Sequence, residues 1–384
     1  MLTLNVHIYP SAIQYETRIM KMTATLVAKR VVERVIVVGR SAAGLEPRER
    51  IDEARTVERF PMRNERRFFA ARALGFAGWS LRVFNRFRRE RIDMVNCHSL
   101  SVLPLCVAIK LRHRAILIYE PHELETETLQ MHGLKKRFCR LLEGLLVKWV
   151  DCTILVGDSI DAWYRRRYKL TRTAVVVNCP PRTQVAPSRH FHEHFAIPPH
   201  IPVFLYQGVF GKGRGIELII DAFGAMPDEA ALVLMGYGPL WDWTEARAGQ
   251  FKNIHIHKAV PQRQLLEVTG SADFGLSLFE PISLSNEYCM PNKFFEYIMA
   301  GIPVLASDTT EQRAIVGRFG IGEVAAALTA QEIRAAARRL LAGDKSAFKA
   351  GLERASREYC WERQETVLER IYADVLKRRG ASPS

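Results

Sequence analysis

The sequence predicts an α/β protein of two Rossmann-like domains, and three observations carry that prediction. Residues 1–9 alternate like a strand, a helical stretch with Glu16, Arg18 and Lys21 follows, and Val31–Gly39 holds a second, buried strand. Strand, helix, strand at this spacing is a βαβ unit and implies a parallel sheet. The same alternation starts afresh at Val203-Phe204-Leu205-Tyr206-Gln207-Gly208. Between the halves, Pro180–Pro202 shifts to proline, histidine and polar residues, as an interdomain connection does. The expected division is a domain over 1–180, a connection over 181–202, a second domain over 203–360 and a last helix over 361–384.

Composition agrees with a soluble protein of two cores: 384 residues, 48% hydrophobic and 25% charged. No run of eighteen apolar residues occurs; Leu141–Gly157 is broken by Glu143, Lys148 and Asp151. The first nine residues lack a basic leader and read as a strand, not a signal peptide. Seven cysteines, without a C-x-x-C pair, argue against a disulfide framework or a zinc cage and favour a reducing cytoplasm. The net charge of +14 admits nucleic acid, an anionic membrane surface or anionic substrates as partners.

Half of that surplus is local. Nine arginines lie in Arg63–Arg91 against Glu65 and Glu90. Phe69, Phe76, Val83 and Phe87 form a helical stripe there, flanked by Trp79. The plain reading is a helix covering its sheet with a solvated basic face. The functional one is a basic, aromatic surface resting on anionic lipid.

Next, Ile92–His98 and Ala115–His122 read as strands that end in histidine. In open parallel sheets ligands collect at the carboxyl ends of strands, which makes His98 and His122 candidates for a site, although such histidines are more often structural. Phe138–Val150 reads as a helix with a Leu-rich stripe, and Cys152–Ser159 as a strand and turn. Val175-Val176-Val177 ends the first alternation.

In the second half, the loop Val209–Gly215 carries glycines that let a ligand approach and Arg214, which can grip phosphate with two N–H groups. Ala231–Pro239 is a strand with a glycine turn, and strands at Ile254–Val260 and Ala272–Leu278 follow. The polar loop from Ser283 then runs into Pro291-Asn292-Lys293, a short helix, Gly301 and the buried strand Ile302–Ala306. Proline at a helix start and glycine past its end fit the known asymmetry of helix termini. Such an open N-terminus binds phosphate oxygens; Lys293 adds a charge, and Glu296 is an acceptor for sugar or ribose hydroxyls. Together they describe a nucleotide-sugar pocket. The bland alternative is an ordinary amphipathic helix with Phe294, Phe295 and Ile298 packed on a sheet. An Ala/Arg/Leu helix at Glu332–Leu341 and an amphipathic helix with Val367, Ile371 and Val375 complete the chain.

The stretch Pro291-Asn292-Lys293-Phe294-Phe295-Glu296-Tyr297, with Gly301 five residues after Glu296, resembles the donor-binding segment of family-4 glycosyltransferases. Tyr119-Glu120-Pro121-His122-Glu123-Leu124 resembles the segment holding that family's active-site histidine. The resemblance implies the GT-B fold, two Rossmann-like domains facing across a cleft, with the last helix crossing back to the first. It implies a retaining transferase that moves a sugar from a UDP or GDP donor to a saccharide or lipid-linked acceptor in surface-polysaccharide synthesis. His122 would be catalytic, with His98 and Glu123 on the acceptor side. The donor would meet Gly208, Lys212, Arg214, Gly215, Gly236, Tyr237, Asn286, Glu287, Asn292, Lys293 and Glu296.

Three departures stand out. Val209 replaces a family arginine after Gly208, which leaves that diphosphate contact to Lys212. Tyr288 stands where a first glutamate is common, with Glu287 one position off. Pro10-Ser11-Ala12-Ile13 lacks the family's glycine-rich loop. No D-x-D sequence is present to hold a metal on the diphosphate, so no metal and no cofactor beyond the donor are expected. The alternatives are a GT-B sugar-nucleotide epimerase or hydrolase, an inactive scaffold of the same fold, and a basic nucleic-acid-binding protein. The last has no nucleic-acid-reading motif behind it. A cytoplasmic enzyme, peripheral on the inner membrane face, is the expectation carried forward.

Overall fold

In the computed structural model, which describes residues 2–62 and 69–381, the chain divides into two compact units. The first comprises the residues up to Val176 together with those from Glu365 onward. It contains β1 (Leu2–Ile8), α1 (Thr17–Ala28), β2 (Val32–Arg40), β3 (Arg48–Arg50), β4 (Arg55–Phe60), α2 (Phe69–Phe87) and β5 (Met94–Cys97). α3 (Leu103–His113), β6 (Ile116–Tyr119), α4 (Gly133–Leu146), β7 (Cys152–Leu155), α5 (Asp158–Tyr168) and β8 (Thr173–Val175) follow. The strand order is β3-β4-β2-β1-β5-β6-β7-β8, parallel throughout except for the β3–β4 pair. β1 is flanked by β2 and β5, with His7 opposite Val37 on one side and Asn96 on the other. The alternation read from the sequence thus becomes a sheet that reverses direction between β1 and β5.

The loop after β1, the one without the glycine-rich motif, is held by a buried arginine. Arg59 donates to the carbonyls of Ala12 (2.7 Å), Ile13 (2.9 Å) and Glu46 (2.9 Å). Glu49 balances its charge at 2.7 Å.

Where the Arg-rich stretch is described it forms α2 and the turn after it; residues 63–68 and the Phe69 side chain lie outside the described set. In α2, Trp79, Val83 and Phe87 are wholly buried, so these large side chains of the stripe face the unit's core and not outward. Arg86 pairs with Glu58 at 2.9 Å and Glu90 at 2.7 Å, while Arg82, Arg88 and Arg89 are exposed. α2 also exposes Leu74 and Leu81, and α4 exposes a longer apolar row. Its one buried residue is Glu143, which accepts hydrogen bonds from the hydroxyls of Tyr119 (2.7 Å), Tyr164 (2.6 Å) and Tyr168 (2.7 Å). Arg140 and Lys136 pair with the buried Glu127. With polar groups anchoring the inner side, Leu134, Phe138, Leu141 and Leu145 are left exposed, continued by Trp149. The Leu-rich stripe of this helix therefore points the opposite way from a core stripe.

The second unit runs from Val177 to Gln364. It holds α6 (His190–Phe195), β9 (Val203–Val209), α7 (Ile216–Gly224), β10 (Ala231–Tyr237), α8 (Trp241–Ala248), β11 (Ile254–Lys258), α9 (Gln262–Thr269) and β12 (Phe274–Ser277). Then come α10 (Leu284–Glu287), α11 (Asn292–Ala300), β13 (Val304–Ser307), α12 (Thr310–Phe319), β14 (Gly322–Ala325), α13 (Ala330–Ala342), α14 (Lys345–Glu358) and α15 (Trp361–Ala381). The sheet order is β11-β10-β9-β12-β13-β14, all parallel. Phe204, Phe223 and Phe274 stack at its centre, with ring centroids 4.7–4.9 Å apart. The 181–202 segment, expected to be a plain connection, belongs to this unit and carries α6, anchored by the fully buried Phe191. From Glu365 on, α15 is part of the first unit. Its Tyr372 is fully buried there and its hydroxyl accepts a hydrogen bond from Asn96 at 2.5 Å.

Candidate functional site

The two sheets share a design. In each, the strand order reverses beside the first strand of the unit, between β1 and β5 or between β9 and β12. Ligands of open α/β sheets bind outside the carboxyl ends of the strands at such a reversal. Both reversals carry the polar residues that the sequence singled out.

At the β9–β12 reversal, α11 opens behind Pro291 and closes at Gly301, whose φ of 76° a side chain tolerates poorly. Lys293 lies in its first turn and is buried. The Lys293 Nζ stands 3.5 Å from the centroid of the Tyr206 ring and 5.3 Å from that of Phe279. The Arg214 guanidinium lies over the same Phe279 ring at 4.6 Å. Among the described residues the Lys293 Nζ has no hydrogen-bond partner. Burial pushes its pKa well below the lysine range; Arg214 adds repulsion and Glu296 opposes both. Two cations over an aromatic floor, one of them buried without an acceptor, make a site that lacks only an anion.

Glu296 follows on α11. Its Oε2 accepts from Gln207 Nε2 at 2.6 Å, and Gln207 is held in turn by the Thr269 hydroxyl at 2.8 Å. Gly208, next to last in β9, has φ 125°, and a Cβ there would sit 3.8 Å from Lys293 Cε. Gly236, its partner on β10, is required outright, since a Cβ would lie 1.8 Å from the Gly208 carbonyl oxygen. Gly215 caps α7, and its N–H donates to Glu280 at 3.2 Å.

The remaining expected donor residues separate. Lys212 is exposed on the loop and Tyr237 is exposed at the end of β10. Asn286 is tied into its own loop through the Glu280 carbonyl at 2.8 Å. Asn292 accepts from Asn178 at 2.9 Å. Glu287 Oε1 accepts from the Thr310 N–H (3.1 Å) and hydroxyl (2.6 Å), so it caps the first turn of α12. Sequence reasoning missed Tyr206, Phe279, Gln207 and Glu280. The first two hide in apolar strand patterns, where an aromatic reads as core.

At the β1–β5 reversal the chemistry is imidazole. His7 Nδ1 lies 2.8 Å from His98 Nε2, and His98 Nδ1 lies 3.2 Å from His122 Nε2. Tyr9 packs on the His122 ring with centroids 5.1 Å apart. His7 and His98 are fully buried, whereas His122 is partly exposed. Burial pushes His7 and His122 down to about 3, and burial followed by the neighbouring histidines and Arg18 pushes His98 well below its usual range. All three imidazoles are therefore neutral at pH 7, and the chain leaves His122 Nδ1 as donor or acceptor according to its tautomer.

Below them, buried Glu120 accepts from Asn96 at 2.5 Å, and burial pushes its carboxyl up to about 7. Glu125, raised to about 8 by burial, accepts from the Ser99 hydroxyl at 2.8 Å and from the Leu100 N–H. Glu123 is exposed at the surface of this loop. His7, Tyr9, Arg18 and Glu125 were not read as site residues; only His7, a histidine within an apolar strand, carried a signal. His7, His98 and Glu120 have potential ligand atoms within 4.8 Å of one another. The 2.8 Å His7–His98 contact is that of a hydrogen bond and shorter than the roughly 3.3 Å between two nitrogens on one tetrahedral zinc.

Residues 15–181 match the model of a glycosyl transferase 4-like domain, and residues 201–343 match that of glycosyl transferases group 1. No curated protein matches the chain in sequence. Among solved structures, sucrose-phosphate synthase from Thermosynechococcus elongatus superposes with a TM-score of 0.78 at 14% identity, covering 98% of this chain and 100% of its own. WaaG, described as a glycosyltransferase involved in lipopolysaccharide biosynthesis, gives 0.67 at 15%, covering 98% and 99%. Anabaena HepE in complex with UDP-glucose gives 0.71 at 13%, covering 99% and 100%. At such identities the likeness is one of fold.

Proposed function

We propose that the chain, whose two halves match glycosyl transferase 4-like and glycosyl transferases group 1 models, is a glycosyltransferase of the GT-B type that moves a sugar from a UDP- or GDP-linked donor to a saccharide or lipid-linked acceptor with retention of configuration. The observation that carries the donor half is the buried Lys293 Nζ beside Arg214 at the β9–β12 reversal. As the bond from the anomeric carbon to the diphosphate breaks, negative charge gathers on the departing phosphate oxygens. Lys293 and Arg214 meet that charge from fixed positions, without reorganising water. Two side-chain cations also support handling of the diphosphate without a metal. Glu296, held by Gln207, accepts a ribose hydroxyl. His122, held neutral and oriented by His98, hydrogen-bonds a sugar hydroxyl through Nδ1 and contributes by positioning. That HepE was solved with UDP-glucose supports a UDP-sugar as the first donor to try.

A thermal-shift screen against UDP-, GDP- and ADP-sugars tests this reading. One nucleotide class should stabilise the protein, and Lys293→Ala and Glu296→Ala should abolish the shift. Shifts equal in both variants and the parent would refute the donor site. Release of free sugar or an epimer from donor alone would point to a hydrolase or epimerase.

For the acceptor, the outward face of α4 supports a peripheral membrane position. Leu134, Phe138, Leu141 and Leu145 are exposed on one helix that also carries the exposed Lys135 and Arg137, a combination suited to anionic lipid. No helix among the described residues is long and apolar enough to cross a membrane. Flotation with anionic vesicles should carry the protein upward and should fail for a Phe138→Glu, Leu141→Glu variant. Exchanging Arg82 on α2 and Arg88 and Arg89 just after it should change it little, and the reverse pattern would overturn the assignment.

A further inference from the structure

We propose that His190, His194 and His257 bind a divalent first-row transition metal, zinc first among them, which clips α6 to the edge strand β11. The three ligand nitrogens lie within 4.8 Å of one another. His190 and His194 are four residues apart on α6 and so share one face, with their rings stacked at 5.6 Å. His257 rises from β11 to meet both, at centroid distances of 5.2 Å and 5.1 Å.

Three details separate this group from a chance cluster. The Nε2 atoms of His190 and His257 stand 3.2 Å apart, close to the roughly 3.3 Å that two nitrogens adopt on a tetrahedral zinc with bonds near 2.05 Å. His257 Nδ1 is 2.6 Å from the Lys258 carbonyl oxygen, a contact that only an Nδ1–H can make. It fixes the tautomer in which Nε2 carries the lone pair, as the backbone partner of a metal-bound histidine does. Finally, α6 is already seated: Phe191 is wholly buried and Phe195 stacks on His255 at 4.7 Å. His194 is the exposed member of the set.

An all-imidazole set suits zinc, nickel, copper or cobalt and not magnesium or calcium, which take oxygen ligands. A solvent molecule fills the fourth position. The site lies at the far edge of the sheet, with β10 between β11 and the β9 strand of the donor site. Its role is to fasten α6, independently of the sugar chemistry.

Untagged full-length protein, stripped with a chelator and titrated with zinc chloride, tests the proposal. One zinc per chain should bind and raise the melting temperature, and cobalt in its place should give the visible absorption of a tetrahedral site. His194→Ala, an exposed position that should not disturb folding, and His257→Ala should each weaken binding by more than about 100-fold, beyond the effect of losing a supporting hydrogen bond. His122→Ala should leave it unchanged. Failure of the parent to take up zinc in molar excess, or uptake that survives in the His194→Ala, His257→Ala double variant, would overturn it.

Discussion

The two sheet reversals have one topology and opposite electrostatics. At β1–β5 three imidazoles pair in a row and stay neutral, and the buried atoms left without a partner there, His7 Nε2, Asn96 Oδ1 and Glu120 Oε2, include no fixed cation. At β9–β12 the buried group is a lysine with no acceptor of its own, crowded by an arginine. A neutral cluster can position and shape a ligand. One built around an unpaired cation is relieved of its strain when an anion arrives. The same fold thus supplies a positioning site and a charge-binding site by changing a few strand-end residues.

The sharpest way to break this contrast is Lys293→Met. If the buried ammonium is a burden that the donor relieves, the variant should melt higher than the parent without ligand, since an uncompensated buried charge is removed. Its kcat/KM should fall by about 10²–10³-fold, the loss typical when one preorganised donor to developing charge is deleted. Stability and turnover measured on the same preparation check both halves. A variant that loses stability along with activity would show Lys293 to be a structural residue.

On the other side, His122→Ala should lower kcat by about 10²-fold, the lower range for a positioned hydrogen-bonding group, and leave the melting temperature nearly unchanged because the residue is partly exposed. Nucleotide-induced stabilisation should persist, as the donor diphosphate does not depend on this cluster. Loss of that stabilisation would erase the division of labour.

How much of this was legible follows the same line. The βαβ units, the restart at Val203 and the helix bounded by Pro291 and Gly301 were readable because hydrophobic period and turn residues are local signals. Lys293 and Arg214 announced themselves as cations at a helix start and in a glycine loop, and His98 and His122 as histidines at strand ends. What contacts them did not: Tyr206 and Phe279 sit in apolar runs, and only the sheet order reveals them as the floor beneath two cations. The direction of a stripe was also beyond reach. α2 and α4 both show helical apolar spacing, yet one faces in and the other out, because the long-range contacts of Glu143 with three tyrosines decide it. That Glu287 Oε1 accepts from Thr310 at the start of α12 was equally beyond the reach of local spacing.

Acid should separate the two clusters next. His7 and His122 have folded pKa values near 3 against about 6.5 unfolded, so the unfolded chain binds more protons below pH 6.5. Stability is therefore fully present above about 6.5 and declines as the pH falls towards 3, by up to about 1.4 kcal/mol per pH unit for each imidazole. Buried Glu120 and Glu125, raised to about 7 and about 8, gain stability over the same fall in pH and offset this decline. Urea titrations at pH 7.5, 6 and 5 should therefore read the imidazole share as the difference in slope between His7→Gln and the parent. An unchanged slope in that variant would mean that other groups govern acid stability.

The smallest expected effect bears directly on the lysine. Its pKa is depressed in the free protein, and a bound diphosphate raises it by supplying the missing counter-charge. Between the two values binding takes up a proton, so affinity for the nucleoside diphosphate should weaken with rising pH, by at most about tenfold per unit. Below the free-state value the dependence vanishes. Calorimetry above about pH 7.5, where the nucleotide's own phosphate has finished titrating, isolates the protein's contribution. Repeating it in two buffers of different ionisation enthalpy counts the proton. Lys293→Arg keeps its charge at every pH and should bind with a flat profile. If the parent is equally flat, Lys293 is already charged in the free protein, and the β9–β12 cluster is less strained than its burial implies.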